Sequence, residues 1–210
     1  MAAPGWDGRD PLPADPLAVL GGWLDEAFAS GHQPNPHAIA LATVAPGGAP
    51  EVRMVLCKHL DPARGELTFY THYASPKGRS LAAHPRAAAA FYFGPESRQA
   101  RLAGPVERAD AAGSDAYFAG RPRETRIGAW ASAQSEAIAS RAELHDRVRA
   151  VEDRFRGTDA IPRPPGWGGY VLEVDRVELW ISGPARIHDR GLWEREPGPE
   201  PRWRGRRLQP

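Results

Sequence analysis

A chain of 210 residues is long enough for one sizeable domain with a well-buried core and short for two. Its 27 basic residues nearly cancel 26 acidic ones, and the net charge of +1 creates no global field to draw it to nucleic acid or an anionic membrane, so anion recognition must be local. A single cysteine, Cys57, excludes an internal disulfide and suits a reducing cytosol, and seven scattered histidines with neither an HExxH motif nor a Cys/His cluster offer no metal site.

Residues 1–14 are expected to form a flexible arm; they lack the apolar core of a secretory signal, and no run along the chain approaches a membrane span. A cytoplasmic protein is expected. Asp15 offers an N-cap and Pro16 the first helical position, followed by Leu17, Leu20, Leu24, Ala27 and Phe28 at helical spacing. Gly31 and Pro34-Asn35-Pro36 end that helix. Short β-type runs come next: 38–44 and 51–58 flank the turn Ala45-Pro46-Gly47-Gly48, 66–71 is a third strand, 87–93 a fourth and 99–107 a fifth, with a short helix over 77–83. The pattern turns helical over 111–156, broken at Pro122, and 157–169 is a loop rich in proline and glycine. Residues 170–181 alternate as a strand again, and 185–193 and 203–208 complete the sheet. Many strands joined by short turns, without a crossover helix after each, point to an antiparallel barrel of α+β class. No internal repeat is present.

Several local arrangements share an anionic theme. Between Tyr117 and Ser135 the chain collects a phenol, Arg121, Arg123 and Arg126, Thr125 and the pair Gln134-Ser135, punctuated by Pro122 and Gly128. Fork-shaped donors and hydroxyls on a rigid turn suit a phosphate. The run Arg53-Met-Val-Leu-Cys-Lys58 reads as a strand apolar on both faces with a cation at each end, which is costly unless the cations meet an anion or reach the rim. In Tyr70-Thr-His-Tyr-Ala-Ser75-Pro-Lys77, Ser75 caps a helix whose free amides and adjacent lysine form a ready anion site. Gln99 opens a strand with an amide able to meet a heterocycle edge. Around the Gly183-Pro184 turn, Trp180 precedes Arg186, His188 and Arg190, which share one face at period two and suit an aromatic, anionic ligand. Arg202, Arg204, Arg206 and Arg207 read as a solvated tail.

In order and spacing these residues resemble the pyridoxine/pyridoxamine 5′-phosphate oxidase family, flavoproteins of the FMN-binding split-barrel fold. The resemblance runs from about Asp15 to Pro210 and includes Arg53 to Lys58, Tyr70-Thr71, Lys77-Gly78, Arg98-Gln99, Arg121-Pro-Arg123, Ile127 to Ser132, Gln134-Ser135, Trp167-Gly-Gly169 and Arg186 to Arg190. It implies a mainly antiparallel split β-barrel with peripheral helices over 15–210, paired as a homodimer with FMN at the subunit interface. Arg53, Tyr70, Thr71, Ser75, Lys77, Gln99, Gln134, Ser135, Trp180 and Arg190 match the family's flavin-contacting positions. Lys58, Tyr117, Arg121 and Thr125 match those that grip the substrate phosphate, and Arg186 and His188 those set against the pyridine ring as the catalytic pair.

The implied activity is oxidation of pyridoxamine or pyridoxine 5′-phosphate to pyridoxal 5′-phosphate, with dioxygen as acceptor and hydrogen peroxide as product. Two alternatives stand beside it: a related split-barrel flavin oxidase of phenazine-type secondary metabolism, and a non-catalytic binder of flavin or pyridoxal phosphate. The chain departs from the family pattern at Pro76, where an arginine is usual, at Thr125 in place of serine, and at Ile181-Ser182 after the tryptophan. Pro76 removes one guanidinium from the flavin phosphate and leaves that group to the helix end, Arg53 and Lys77.

Overall fold

The computed structural model describes residues 6–198 and 202–210. Helix α1 (Pro16–Ser30) starts where Asp15 Oδ1 accepts the amides of Leu17 and Ala18, and stops at Gly31, which turns left-handed at φ 64°. Its Leu17, Leu20, Trp23 and Ala27 are buried, whereas Phe28, expected on the same stripe, is exposed and stacks on His37. The expected flexible arm falls partly outside the described residues. From Trp6 onward it is held to the barrel: Trp6 is buried edge-on against Trp193, whose Nε1 donates to the Pro13 carbonyl.

Among the described residues ten strands form the sheet: β1 (Ala38–Val44), β2 (Pro50–Leu56), β3 (His59–Asp61), β4 (Glu66–His72), β5 (Arg86–Phe93), β6 (Arg98–Arg108), β7 (Trp167–Glu173), β8 (Arg176–Ile181), β9 (Asp189–Glu196) and β10 (Arg202–Arg207). All pairings are antiparallel, in the order β10-β9-β8-β6-β5-β1-β2, with β7, β4 and β3 joined at the far end of β6. The long β6 belongs to both halves, because Arg98–Ala103 pair with β8 and Val106–Arg108 with β7. Gly104 and Pro105 mark the handover: a Cβ on Gly104 would lie 1.8 Å from the Glu173 carbonyl oxygen, and a proline there asks for no ladder donor. The sheet thus curls into a split barrel around Leu41, Phe69, Phe91, Leu102, Leu172 and Val177. The fold is the expected α+β split barrel.

Four details differ from the sequence-based reading. The expected strand over 170–181 is two strands, broken where the amides of Val174 and Asp175 turn to the carbonyls of Gly65 and Ala103. Residues 203–208 complete the sheet as expected, in strand β10 paired to β9, but its arginines are not a free tail, since Arg206 and Arg207 are tied to Glu194 and Asp189. The run from Ala185 is not a strand at first, because Pro184–Arg186 form a 3₁₀ turn and pairing resumes only at Asp189. Finally, β2 is not apolar-buried on both sides: it ends the sheet, and Val52, Met54 and Leu56 are 69%, 64% and 36% exposed.

The remaining helices are α2 (Pro76–Ala83), α3 (Ala111–Ala119), α4 (Arg123–Ala131) and α5 (Arg141–Arg154). Helix α2 packs Leu81 into the barrel core, whereas α3, α4 and α5 close a second, smaller core of Phe118, Ile127, Phe155, Ile161 and Trp167. Among the described residues no helix is long and apolar enough to cross a membrane, and no group of three or more His, Cys, Asp or Glu is placed to hold a metal.

Candidate active site

Between β2, the end of β4, and helices α2, α3 and α4 lies a cleft of ≈ 830 Å³. It gathers Arg53, Lys58, Tyr70, Thr71, Lys77, Tyr117, Arg121, Thr125, Gln134 and Ser135, ten residues singled out from the sequence. His72 and Trp167, present in those motifs but assigned no role from the sequence, also line it. His72 shares the face of Tyr70 two residues on, and that period was the available signal.

One end of the cleft is built on α2. Ser75 caps the helix, its Oγ accepting the Gly78 amide at 3.3 Å, and Pro76 supplies the first helical position. Gly78 is required there, since a Cβ would stand 2.1 Å from the Tyr73 carbonyl oxygen. Ser75 also donates to the His72 carbonyl and is fully buried, so it shapes the turn and does not line the cleft. Lys77 is 6% exposed and directs Nζ to Gln134 Oε1 at 2.8 Å, an oxygen that also accepts from Thr71 Oγ1 at 2.8 Å. Among the described residues no carboxylate pairs with Lys77, and burial, then the Arg53 charge, holds its pKa below the usual lysine value. Arg53 is differently placed: Nη2 meets Glu51 Oε2 at 2.9 Å and Nη1 meets Thr43 Oγ1 at 2.7 Å, so its position is fixed and its charge partly answered. Ser135 sits in the left-handed region at φ 69°, a costly conformation for serine at a residue lining the site.

At the other end, three rings lie nearly parallel: Tyr70 and Tyr117 stack at 3.8 Å, and Trp167 lies 5.5 Å from Tyr70. The Arg121 guanidinium rests 4.7 Å over Trp167. Its Nη1 is buried without a hydrogen-bond partner among the described residues, and desolvation lowers its pKa. The sequence cluster of three arginines therefore divides. Arg123 and Arg126 donate to the carbonyls of Phe155 and Asp159 and pin the loop after α5, leaving Arg121 for the cleft. Thr125 Oγ1 donates to the Pro122 carbonyl at the start of α4. Cys57 takes no part: burial pushes its thiol up to about 12.

A second hollow of ≈ 540 Å³ holds Gln99, Trp180, Ser182, Gly183, Arg186 and His188 and shares none of the first cleft's residues. Gln99 and Trp180 face each other across β6 and β8. Arg186 and His188 do not share a strand face with Arg190, as alternation predicted. Ala185 and Arg186 adopt φ 54° and 65°, and this turn swings the two side chains towards Trp180. His188 lies 4.6 Å from the Trp180 ring, and its Nδ1 accepts the Gly183 amide at 3.2 Å. That bond holds the ring by Nδ1 and leaves Nε2 free of a protein partner among the described residues. Arg190 points elsewhere, to the buried carboxylate of Glu178 at 2.8 Å and the Gln209 carbonyl.

The donors thus fit two anionic esters and a planar ring, but divided between two surfaces. Residues 24–155 match the family model for pyridoxamine 5′-phosphate oxidase, and residues 167–210 match that for the pyridoxine 5′-phosphate oxidase C-terminal dimerisation region. The chain belongs to the pyridoxamine 5′-phosphate oxidase family. Its class is that of the family's oxidoreductases. Pyridoxine/pyridoxamine 5′-phosphate oxidases of Burkholderia lata and Rubrobacter xylanophilus are each 47% identical to it, over 93% and 97% of this chain and 89% of either relative. PhzG from Burkholderia lata 383, solved with tetrahydrophenazine-1-carboxylic acid, superposes with a TM-score of 0.87 at 29% identity, covering 98% of this chain and 97% of that one. A pyridoxamine 5′-phosphate oxidase-related, FMN-binding protein from Nostoc punctiforme shares the fold, with a TM-score of 0.73 at 18% identity, over 95% and 100% of the two chains.

Proposed function

We propose that this oxidase is an FMN-dependent, homodimeric enzyme converting pyridoxamine or pyridoxine 5′-phosphate to pyridoxal 5′-phosphate. The observation that carries this reading is the buried Arg121 Nη1, unpartnered among the described residues, beside a tyrosine stack and in the same cleft as a buried lysine that no described carboxylate answers. Two separate cationic ends suit two phosphate esters, one on the cofactor and one on the vitamer. Lys77, Thr71, Gln134, Ser135 and Arg53 would hold the flavin's polar groups, with Tyr70 on the wall between the two ends. Bound FMN supplies the two-electron acceptor, with dioxygen as final oxidant and hydrogen peroxide as product.

The rest of the mechanism belongs to the chain. Lys58, Tyr117, Arg121 and Thr125 hold the substrate phosphate, fixing the distance between that ester and the reacting carbon. Arg186 and His188 bear on the ring. With Nδ1 engaged by Gly183, His188 is held in orientation and acts on the ring from its Nε2 side, as a positioning group. Gln99, Trp180 and Arg190 are assigned to the flavin side; Arg190 serves it by pairing, together with Arg101, with the buried Glu178 of β8.

A phenazine-type oxidase is the second reading, favoured by the close superposition on PhzG and by Ile181-Ser182 at the wall after Trp180. The identity of 47% to a vitamer-phosphate oxidase of Burkholderia lata, against 29% to PhzG from strain 383 of that species, supports the first. Anaerobic addition of pyridoxine 5′-phosphate to the yellow protein should bleach the flavin absorbance. A flavin-loaded protein that neither bleaches nor turns over either vitamer would overturn the proposal, and no bleaching with any ring substrate would leave a binder.

A further inference from the structure

We propose that His72 is an anion-binding residue shared by the two ends of the cleft, neutral when the cleft is empty and recruited as a third cation, by proton uptake, when a dianion arrives; this rests on the proposed function only in taking the cleft as an anion site. His72 is the last residue of β4, with Tyr70 on its face and Trp167 directly opposite on β7. Trp167 is the ring that carries the Arg121 guanidinium, so the strand register brings His72 to the Arg121 end of the cleft. Its own carbonyl accepts from Ser75, the cap of the helix that presents Lys77, so the turn brings it equally to the Lys77 end. The imidazole is half-buried in the cleft wall and makes no hydrogen bond among the described residues.

The charges around it explain the switch. Burial disfavours the imidazolium, and Lys77 and then Arg121 oppose it further, which together push the His72 pKa below the ordinary histidine value. The groups facing it from each packed element are Lys77 on α2, Arg121 before α4, Tyr117 on α3, Arg53 on β2 and Tyr70 on its own strand. Nearby carboxylates are engaged elsewhere: Glu51 pairs with Arg53 and Glu136 with Arg79. A dianion seated between Lys77 and Arg121 reverses the local field. The bound midpoint must then exceed the free one, so proton and anion bind with mutual assistance, and anion affinity rises as pH falls through the window between the two midpoints. Each unit by which the anion raises the midpoint strengthens binding by about tenfold.

Sulfate is the suitable probe, since it remains a dianion throughout and any proton taken up belongs to the protein. The titration of the His72 Cε1–H resonance would be followed by NMR in the full chain, with sulfate and with chloride at equal ionic strength, the resonance being assigned by its loss in His72→Asn. His84, exposed at the end of α2 and outside the cleft, is the internal control. Sulfate should raise the His72 midpoint and leave that of His84 in place, and sulfate affinity in His72→Asn should be flat with pH. An unmoved His72 midpoint, or an equal rise at both histidines, would overturn the assignment. The oxidase reading fails separately: a sulfate-dependent rise in a protein that takes up no FMN would keep the role of His72 and sink that reading. FMN uptake and vitamer turnover with an unmoved His72 would do the reverse.

Discussion

Arg121 and Arg53 carry the same guanidinium into the same cleft, yet their surroundings assign them different tasks. Arg121 lies on an aromatic face with a buried nitrogen unanswered. Its replacement by alanine should weaken vitamer binding by about 1.5–3 kcal/mol, the worth of a charge-assisted hydrogen bond, while FMN stays bound. Arg53 is braced by Thr43, the Leu41 carbonyl and Glu51, and Glu51 also accepts from Ser80 on α2. Removing Arg53 leaves Glu51 uncompensated next to the helix that presents Lys77. Arg53→Ala should therefore lose FMN, seen as an unquenched flavin fluorescence on titration, and should also lower the melting temperature. Equal loss of flavin in both variants would erase the division between the two ends of the cleft.

At the scale of elements, β2 is the exposed edge of the sheet and also a wall of the cleft, because Met54 and Leu56 line the cavity while facing solvent. A row of Val52, Met54 and Leu56 on an edge strand is an unfinished surface. With a C-terminal region that matches the family's dimerisation region, this row is expected to be covered by the second subunit. Met54→Asp should shift the protein towards monomer in sedimentation and weaken FMN retention with it; a dimer of unchanged affinity would show that the partner sits elsewhere. The exposure of this strand was not legible in the sequence, since apolar residues at both parities look alike whether they face a core or a partner. Local chemistry was legible: Asp15-Pro16 marks its helix start to the residue, Ser75 marks the cap of a helix that starts one residue before the expected 77, and the Ala45–Gly48 turn fixes the register of β1 and β2. What alternation missed at Arg186 and His188 was set by two left-handed residues that are not glycine, a conformation that their side chains do not announce. Likewise the three arginines of 121–126 form one basic patch on paper, and only the docking of the 155–159 loop takes two of them out of service.

For the whole molecule, the decisive feature is that the cleft proposed to hold the phosphates and the hollow of Trp180, Arg186 and His188 are separate surfaces of one chain. A ring held in the cleft by its phosphate needs Arg186 and His188 against it, and the open β2 flank is where a partner can bring them. In a twofold dimer each complete site would then take its cleft from one protomer and its 183–188 turn from the other. Arg121→Ala and Arg186→Ala would each be inactive alone at limiting substrate. Unfolded, mixed in equal amounts and refolded together, they should recover about a quarter of wild-type site concentration, because half the dimers are mixed and each mixed dimer has one undamaged site. The burst of flavin reduction in anaerobic single turnover counts those sites directly. If cleft and turn instead served the same site within a protomer, each mixed dimer would hold two singly damaged sites and the burst would stay at the level of the parents.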